Sequence, residues 1–164
     1  MRLSFPVTAL LLLFLSISAN SRAQNIGHLT IKQLQDIYYQ KNDTTYVVNF
    51  WATWCGPCVM EMPALLQFYT SHKNSRVKLL LISLDQPKFE KHVSNFVTKN
   101  KIEAPVYILD AGKNFDWLPK IDERWEGSIP ATLVVNASKN IQQFYETPLE
   151  PGQLEYLLKK LGLD

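Results

Sequence analysis

The chain has 164 residues, two cysteines, and 17 lysines and arginines against 15 acids, for a formal charge of +2. That length supplies one ordinary domain with one core, and a balance so near zero carries neither the footprint of a nucleic-acid binder nor a basic membrane patch. Two cysteines are too few to staple a small exported domain together, so the core must come from packing.

Met1-Arg2 is followed by an apolar run from Phe5 to Ile17 and then by small and polar residues from Ser18 to Gln24. The pattern predicts a secretory signal peptide over residues 1–23. Its apolar run is shorter than the ~20 residues that a membrane helix needs. Ser21-Arg22-Ala23 places small residues where a signal peptidase cuts, with Gln24 opening the mature chain, and no cysteine lies nearby to carry a lipid. The alternative is an uncleaved signal anchor, which changes tethering and not compartment. Taking 23 residues from 164 leaves 141 in a single domain, 24–164, and because the leader holds Arg2 and Arg22 and no acid, the charge falls to zero.

Thr30 can cap a helix whose apolar face is Ile31, Leu34, Ile37 and Tyr38, ending at Lys41-Asn42-Asp43. Tyr46 to Trp51 is β-branched and aromatic and reads as a buried strand. From Cys58 onward Met62, Leu65, Leu66 and Tyr69 share one helical face, with Pro63 interrupting the hydrogen-bond ladder and predicting a kink. Val77 to Ser83 is an interior strand. The next helix opens with Pro87 and turns Phe89, Val93, Phe96 and Val97 inward, and Pro105 to Leu109 is a further short strand. The order β-α-β-α-β predicts parallel strands joined by helical crossovers.

From Asp110 to Gly127 the pattern is irregular and reads as a loop with a short helical segment, its Trp117 and Trp125 assigned to packing rather than to a substrate groove. Ala131 to Val135 and Ile141 to Tyr145, joined by a turn-rich stretch, predict an antiparallel hairpin. The last helix puts Leu154, Leu157, Leu158 and Leu161 on one face and stops at Gly162. No repeat or low-complexity tract is present.

Both cysteines fall in Trp54-Cys55-Gly56-Pro57-Cys58, a spacing that lets one helical turn bring the sulfurs together. A bridge closing so short a loop removes little entropy from the unfolded chain. Redox chemistry explains the pair better than stability does. Zinc is the chemical rival, but a structural zinc site needs four ligands, and beyond the pair only His28, His72 and His92 are on offer, scattered and read as surface residues on or near helices.

A CxxC beside a βαβ pattern marks a thioredoxin-type redox site, and the resemblance goes further. Val48-Asn49-Phe50-Trp51-Ala52-Thr53-Trp54-Cys55-Gly56-Pro57-Cys58, with Glu61 and Pro63 after it, resembles the thioredoxin superfamily and within it the exported TlpA-like branch. Ile129-Pro130-Ala131-Thr132 is similar to that family's cis-proline loop. The likeness covers essentially the whole mature chain. It implies an α/β thioredoxin-like fold, a central mixed sheet flanked by helices, with a β-α insertion around residues 87–109.

For Cys55 the physical reason is its place at the start of a helix, where unpaired N–H groups and the positive end of the dipole favour a thiolate. Lowering a thiol from about 8.5 to about 7 raises the reactive fraction at neutral pH from a few per cent to about half. Cys58, one turn on and less exposed, resolves the mixed disulfide. Gly56 and Pro57 keep the turn compact. The resemblance implies that Pro130 is cis and faces the sulfurs, leaving the Ile129 backbone to pair with an extended substrate. Trp54 would cover the site and contact substrate, and Trp51 would pack beneath it.

Three departures from familiar patterns matter. Asn49 stands where cytosolic thioredoxins carry a buried aspartate that moves the second cysteine's proton. Glu61 is a candidate replacement, although a helix glutamate is ordinarily solvated, and it is not counted among the catalytic residues. Gly56 lacks the acid frequent in members dedicated to cytochrome c maturation, which weakens a haem-assembly reading. Ala52, three residues before Cys55, is not the threonine of a peroxiredoxin site, and the upstream proline is missing too.

The sequence therefore predicts an exported periplasmic thiol-disulfide oxidoreductase, a monomer without cofactor or metal, that reduces protein disulfides through Cys55 and Cys58 and is recharged by a membrane electron donor. A disulfide-forming oxidant of the same fold is the alternative, because potentials on this fold run from about −270 to −120 mV. A redox-inactive binding module is a further one, disfavoured by intact Cys55, Cys58 and Pro130.

Overall fold

The computed structural model describes residues 26–112 and 114–163, so the leader expected at 1–23 lies outside the described residues. Six strands form one mixed sheet: β1 Gly27–Leu29, β2 Thr45–Trp51, β3 Val77–Ser83, β4 Val106–Leu109, β5 Ala131–Asn136 and β6 Ile141–Tyr145, in the order β1-β4-β3-β2-β5-β6. The four strands from β1 to β2 in that order pair in parallel, and β5 runs antiparallel to both β2 and β6.

The central strand explains why its sequence shows a continuous apolar run instead of alternation. Every residue of β2 is buried because helices cover both faces. Val47 and Trp51 turn toward a core shared with α2 (Gly56–His72), α3 (Glu90–Lys99) and α5 (Gln153–Lys160). Tyr46, Val48 and Phe50 turn toward a second core shared with α1 (Ile31–Tyr38) and α4 (Leu118–Ile121). Burying a side chain such as Phe50 or Trp51 is worth about 2–3 kcal/mol each, and these two cores carry the fold.

Most elements fall where the residues place them. Thr30 caps α1 in a full capping box: its hydroxyl accepts from the Gln33 N–H at 3.3 Å and its own N–H donates to Gln33 Oε1 at 2.9 Å. The β-α-β-α-β order, the parallel pairing and the β5–β6 hairpin are all present. Trp117 and Trp125 are buried and meet edge to face, 5.3 Å between centroids, in the second core.

Other details differ. β1 is a strand that sequence periodicity did not reveal, and it puts His28 on the sheet edge, exposed and 2.9 Å from Glu90 at the start of α3. Pro87–Phe89 forms a separate 3₁₀ turn ahead of α3, and Phe89 is 41% exposed instead of inward-facing. α2 continues through Pro63 as one element, the missing proline N–H costing it the bond back to Val59 without ending the helix.

Candidate active site

β2 ends at Trp51, and the chain must then turn sharply to enter α2. Two sets of hydrogen bonds fix that turn. The Cys55 N–H donates to the Ala52 carbonyl at 3.2 Å, and the Leu84 N–H donates to the Trp51 carbonyl at 2.8 Å. The buried Asp85 carboxylate, just past β3, accepts from the Thr53 N–H at 2.8 Å, the Thr53 hydroxyl at 2.6 Å and the Ser83 hydroxyl at 2.8 Å. The loop carrying Cys55 is thus pinned to the neighbouring strand.

Cys55 is the N-cap of α2, and its sulfur accepts the Cys58 N–H at 3.2 Å. An orphan donor of the helix start is therefore aimed at the sulfur where a negative charge must be held. Pro57 sits in the first turn, where no intrahelical N–H is needed. Cys55 and Cys58 are joined in a disulfide, with Cα atoms 5.3 Å apart. Cys58 is fully buried and Cys55 is 6% exposed, so an incoming partner can reach only the first sulfur.

Ile129-Pro130 is a cis peptide, and the Ile129 carbonyl oxygen lies 3.6 Å from Cys55 Sγ. The loop before it is held by the Glu146 carboxylate, which accepts the Ser128 N–H at 2.6 Å and the Glu126 N–H at 3.1 Å, and by the Trp125 indole donating to the Ser128 carbonyl at 2.9 Å. Trp54 is 69% exposed beside the sulfurs, and Trp51 is fully buried beneath. All seven residues singled out from the sequence, Trp54, Cys55, Gly56, Pro57, Cys58, Ile129 and Pro130, thus belong to one turn and the loop facing it.

The expectation of a solvated Glu61 is overturned. One turn along α2 from Cys58, its side chain is buried under the β6–α5 connection. Its Oε1 accepts from Asn49 Nδ2 at 2.7 Å and its Oε2 from the Leu149 N–H at 2.8 Å. Asn49 Nδ2 also donates to the Thr132 hydroxyl at 3.0 Å, while Asn49 Oδ1 is buried and has no hydrogen-bond partner among the described residues. Burial pushes the Glu61 carboxyl above its ordinary value, and the two donors, Leu149 and then Asn49, oppose that rise only in part. Sequence reasoning missed the roles of Asp85, which takes one backbone N–H and two hydroxyls, and of Glu146, which takes two backbone N–H groups; no motif announces either set of donors.

A parallel-to-antiparallel sheet with a redox CxxC at the first turn of a helix and a cis-proline loop against it defines a thioredoxin-like thiol-disulfide oxidoreductase. The chain belongs to the AhpC/TSA family, whose model matches residues 20–144. It is 25% identical over 122 residues to the sporulation thiol-disulfide oxidoreductase A of Bacillus subtilis, a match covering 74% of this chain and 70% of that one. To the thiol-disulfide oxidoreductase ResA of Bacillus thuringiensis subsp. konkukian it is 30% identical over 117 residues, covering 70% of this chain and 61% of the relative. Among solved structures, StoA from Bacillus subtilis superposes with a TM-score of 0.55 at 26% identity, covering 70% of this chain and 82% of that one. A thioredoxin-related protein from Neisseria meningitidis serogroup B gives 0.62 at 28%, covering 73% and 86%.

Proposed function

We propose that this protein is exported by its 1–23 leader and reduces protein disulfides in the periplasm. The observation that carries the reading is the Cys58 N–H directed at Cys55 Sγ from the first turn of α2, with Cys58 shielded behind it. The Cys55 thiolate attacks one sulfur of the substrate disulfide. That bond breaks, the departing sulfur takes up a proton, and Cys55 is left in a mixed disulfide with the other sulfur. Cys58 then gives up its proton and attacks Cys55 Sγ, which releases the second substrate thiol and leaves the Cys55–Cys58 disulfide. The substrate has gained two electrons and two protons. A dithiol donor, which we place in the membrane, must return the electrons to Cys55 and Cys58.

Glu61 is the group we assign to take the Cys58 proton. It lies one turn further on α2 and is buried as Cys58 is, and its raised pKa makes it a better acceptor near neutral pH than an ordinary carboxylate. Asn49 itself cannot titrate. Ile129 supplies backbone to an extended substrate, and Pro130 keeps that backbone against the sulfurs.

Reduction of insulin in the presence of dithiothreitol tests the assignment. The native chain turns over, Cys55→Ser does not, and Cys58→Ser stalls as a mixed disulfide; activity surviving both substitutions overturns the mechanism. Equilibration with glutathione buffers then fixes direction. A potential near the −270 mV end of the range for this fold, within about 50 mV, agrees with reduction, and one near −120 mV assigns the protein to disulfide formation instead.

A further inference from the structure

Asn49 is fully buried in β2, between Val47 and Trp51 on the face that packs against α2, and only half of its carboxamide is in use. Both Nδ2 hydrogens are engaged, one with Glu61 Oε1 at 2.7 Å and one with the Thr132 hydroxyl at 3.0 Å. Oδ1 has no partner among the described residues. A buried amide oxygen without a donor is destabilising, and its persistence calls for a donor that another state of the protein supplies. We propose that Asn49 Oδ1 accepts the Cys58 S–H in the reduced protein, and that Asn49 is thereby a positioning residue that keeps Cys58 protonated until Cys55 has formed its mixed disulfide. The proposal rests on Cys55 and Cys58 as a working couple and holds for either direction of electron flow.

The oxidised pair accounts for the idle oxygen. Cys58 Sγ is bonded to Cys55 and carries no hydrogen. When a donor dithiol supplies two electrons and two protons, the S–S bond breaks, the donor becomes a disulfide, and Cys58 gains an S–H. That hydrogen appears on a fully buried sulfur, out of reach of solvent. Cys58 and Glu61 lie three residues apart on the buried face of α2, where side chains so spaced are neighbours with Cβ atoms about 5–6 Å apart. Because Nδ2 touches Glu61, the Asn49 amide lies within about one helical turn of Cys58. The other two unpartnered buried side-chain atoms cannot substitute: Trp51 Nε1 is a donor, and the Tyr38 hydroxyl belongs to the core on the opposite face of the sheet. The amide is also held in one orientation, since turning it over would set Oδ1 against the Glu61 carboxylate.

The two sulfurs thus receive opposite partners. Cys55 Sγ faces a donor, the Cys58 N–H at 3.2 Å, which favours its thiolate. Cys58 faces an acceptor, which favours its thiol. Once Cys55 is committed to the mixed disulfide, Cys58 gives its proton to Glu61, the next group on the same helix face. The hydrogen bond exists only in the dithiol, so it also makes the pair easier to reduce than the same couple without Asn49.

Cys55→Ser leaves Cys58 as the only thiol, so its S–H stretching band can be read alone in the infrared. With Asn49 in place the band should lie below that of ethanethiol in hexane. Asn49→Ala should return it to that position, and Thr132→Val, which removes only a partner of Nδ2, should leave it lowered. A band at the free-thiol position with Asn49 present, or one that stays lowered after Asn49→Ala, overturns the proposal; the first of these decides even where the alanine variant does not fold. In the two-cysteine protein, Asn49→Ala should shift equilibrium with glutathione toward the Cys55–Cys58 disulfide by about fivefold, a potential roughly 20 mV more negative. The shift should persist when Glu61→Leu is added; if it disappears, Asn49 acts only by holding Glu61, and the proposal fails. A protein with no reversible couple in glutathione would instead overturn the redox reading of Cys55 and Cys58.

Discussion

Asp85 and Glu61 are both buried carboxylates beside the redox turn, and they are held for different ends. Asp85 takes three donors from two short segments, Thr53 and Ser83, and thereby ties the Cys55 loop to β3. Glu61 takes one amide and one backbone N–H from distant parts of the chain, and burial drives its carboxyl upward in spite of them. One acid is a clamp on the open, aromatic flank of the disulfide; the other is a group poised to exchange a proton on the closed flank. The number and placement of donors, rather than residue type, separates the two roles.

Removing the nucleophile sets the scale for testing that contrast. Cys55→Ser should lower disulfide turnover by roughly a thousandfold or more, measured by insulin reduction, while the fold is retained in circular dichroism. Glu61→Gln should come next, with kcat down about tenfold to a hundredfold and the pH dependence of kcat losing its carboxylate limb. Asp85→Asn should weaken the clamp without touching that pH profile; if both variants alter the pH profile alike, the contrast between the two acids fails.

Stability separates them again. Glu61→Leu leaves the Leu149 N–H and one of the two Asn49 Nδ2 hydrogens without an acceptor, the other still reaching the Thr132 hydroxyl, and should cost about 2–4 kcal/mol in urea unfolding. Because the folded-state pKa of Glu61 is raised, its contribution is complete below the unfolded value near 4.5 and is lost as pH rises through the folded value. The native protein should therefore lose stability relative to Glu61→Gln across that window, as pH rises. The opposite slope would mean that the carboxyl is not raised. The smallest effect belongs to a site remote from both acids: Thr30→Ala should cost about 1 kcal/mol through loss of the α1 cap and leave turnover unchanged.

Much of this was legible in the residues. Cys55 and Cys58 announced their chemistry by spacing, and Ile129-Pro130 by its resemblance to a known loop. Tyr46–Trp51 and Val77–Ser83 were plain as strands because apolar runs that short cannot be anything else between turns. β1 was not, since three residues containing a glycine and a histidine have no periodicity to read. Phe89 fits the helical spacing of α3 and so reads as inward-facing, yet the 3₁₀ turn at Pro87–Phe89 changes the angle per residue and leaves its ring exposed. The burial of Glu61 has no local signal, because it depends on a cover, the loop around Leu149, that lies 88 residues away in sequence.

The Glu146 carboxylate stands one residue beyond β6, the edge strand, and holds the N–H groups of Glu126 and Ser128 just before the cis peptide. Strand pairing at the rim of the sheet is in this way geared to the height of the Ile129 oxygen above the sulfur. A slip of one residue in the hairpin would reverse the face on which Glu146 emerges and let the platform drop. The alignment of two outer strands thus serves as the gauge by which the redox gap is set.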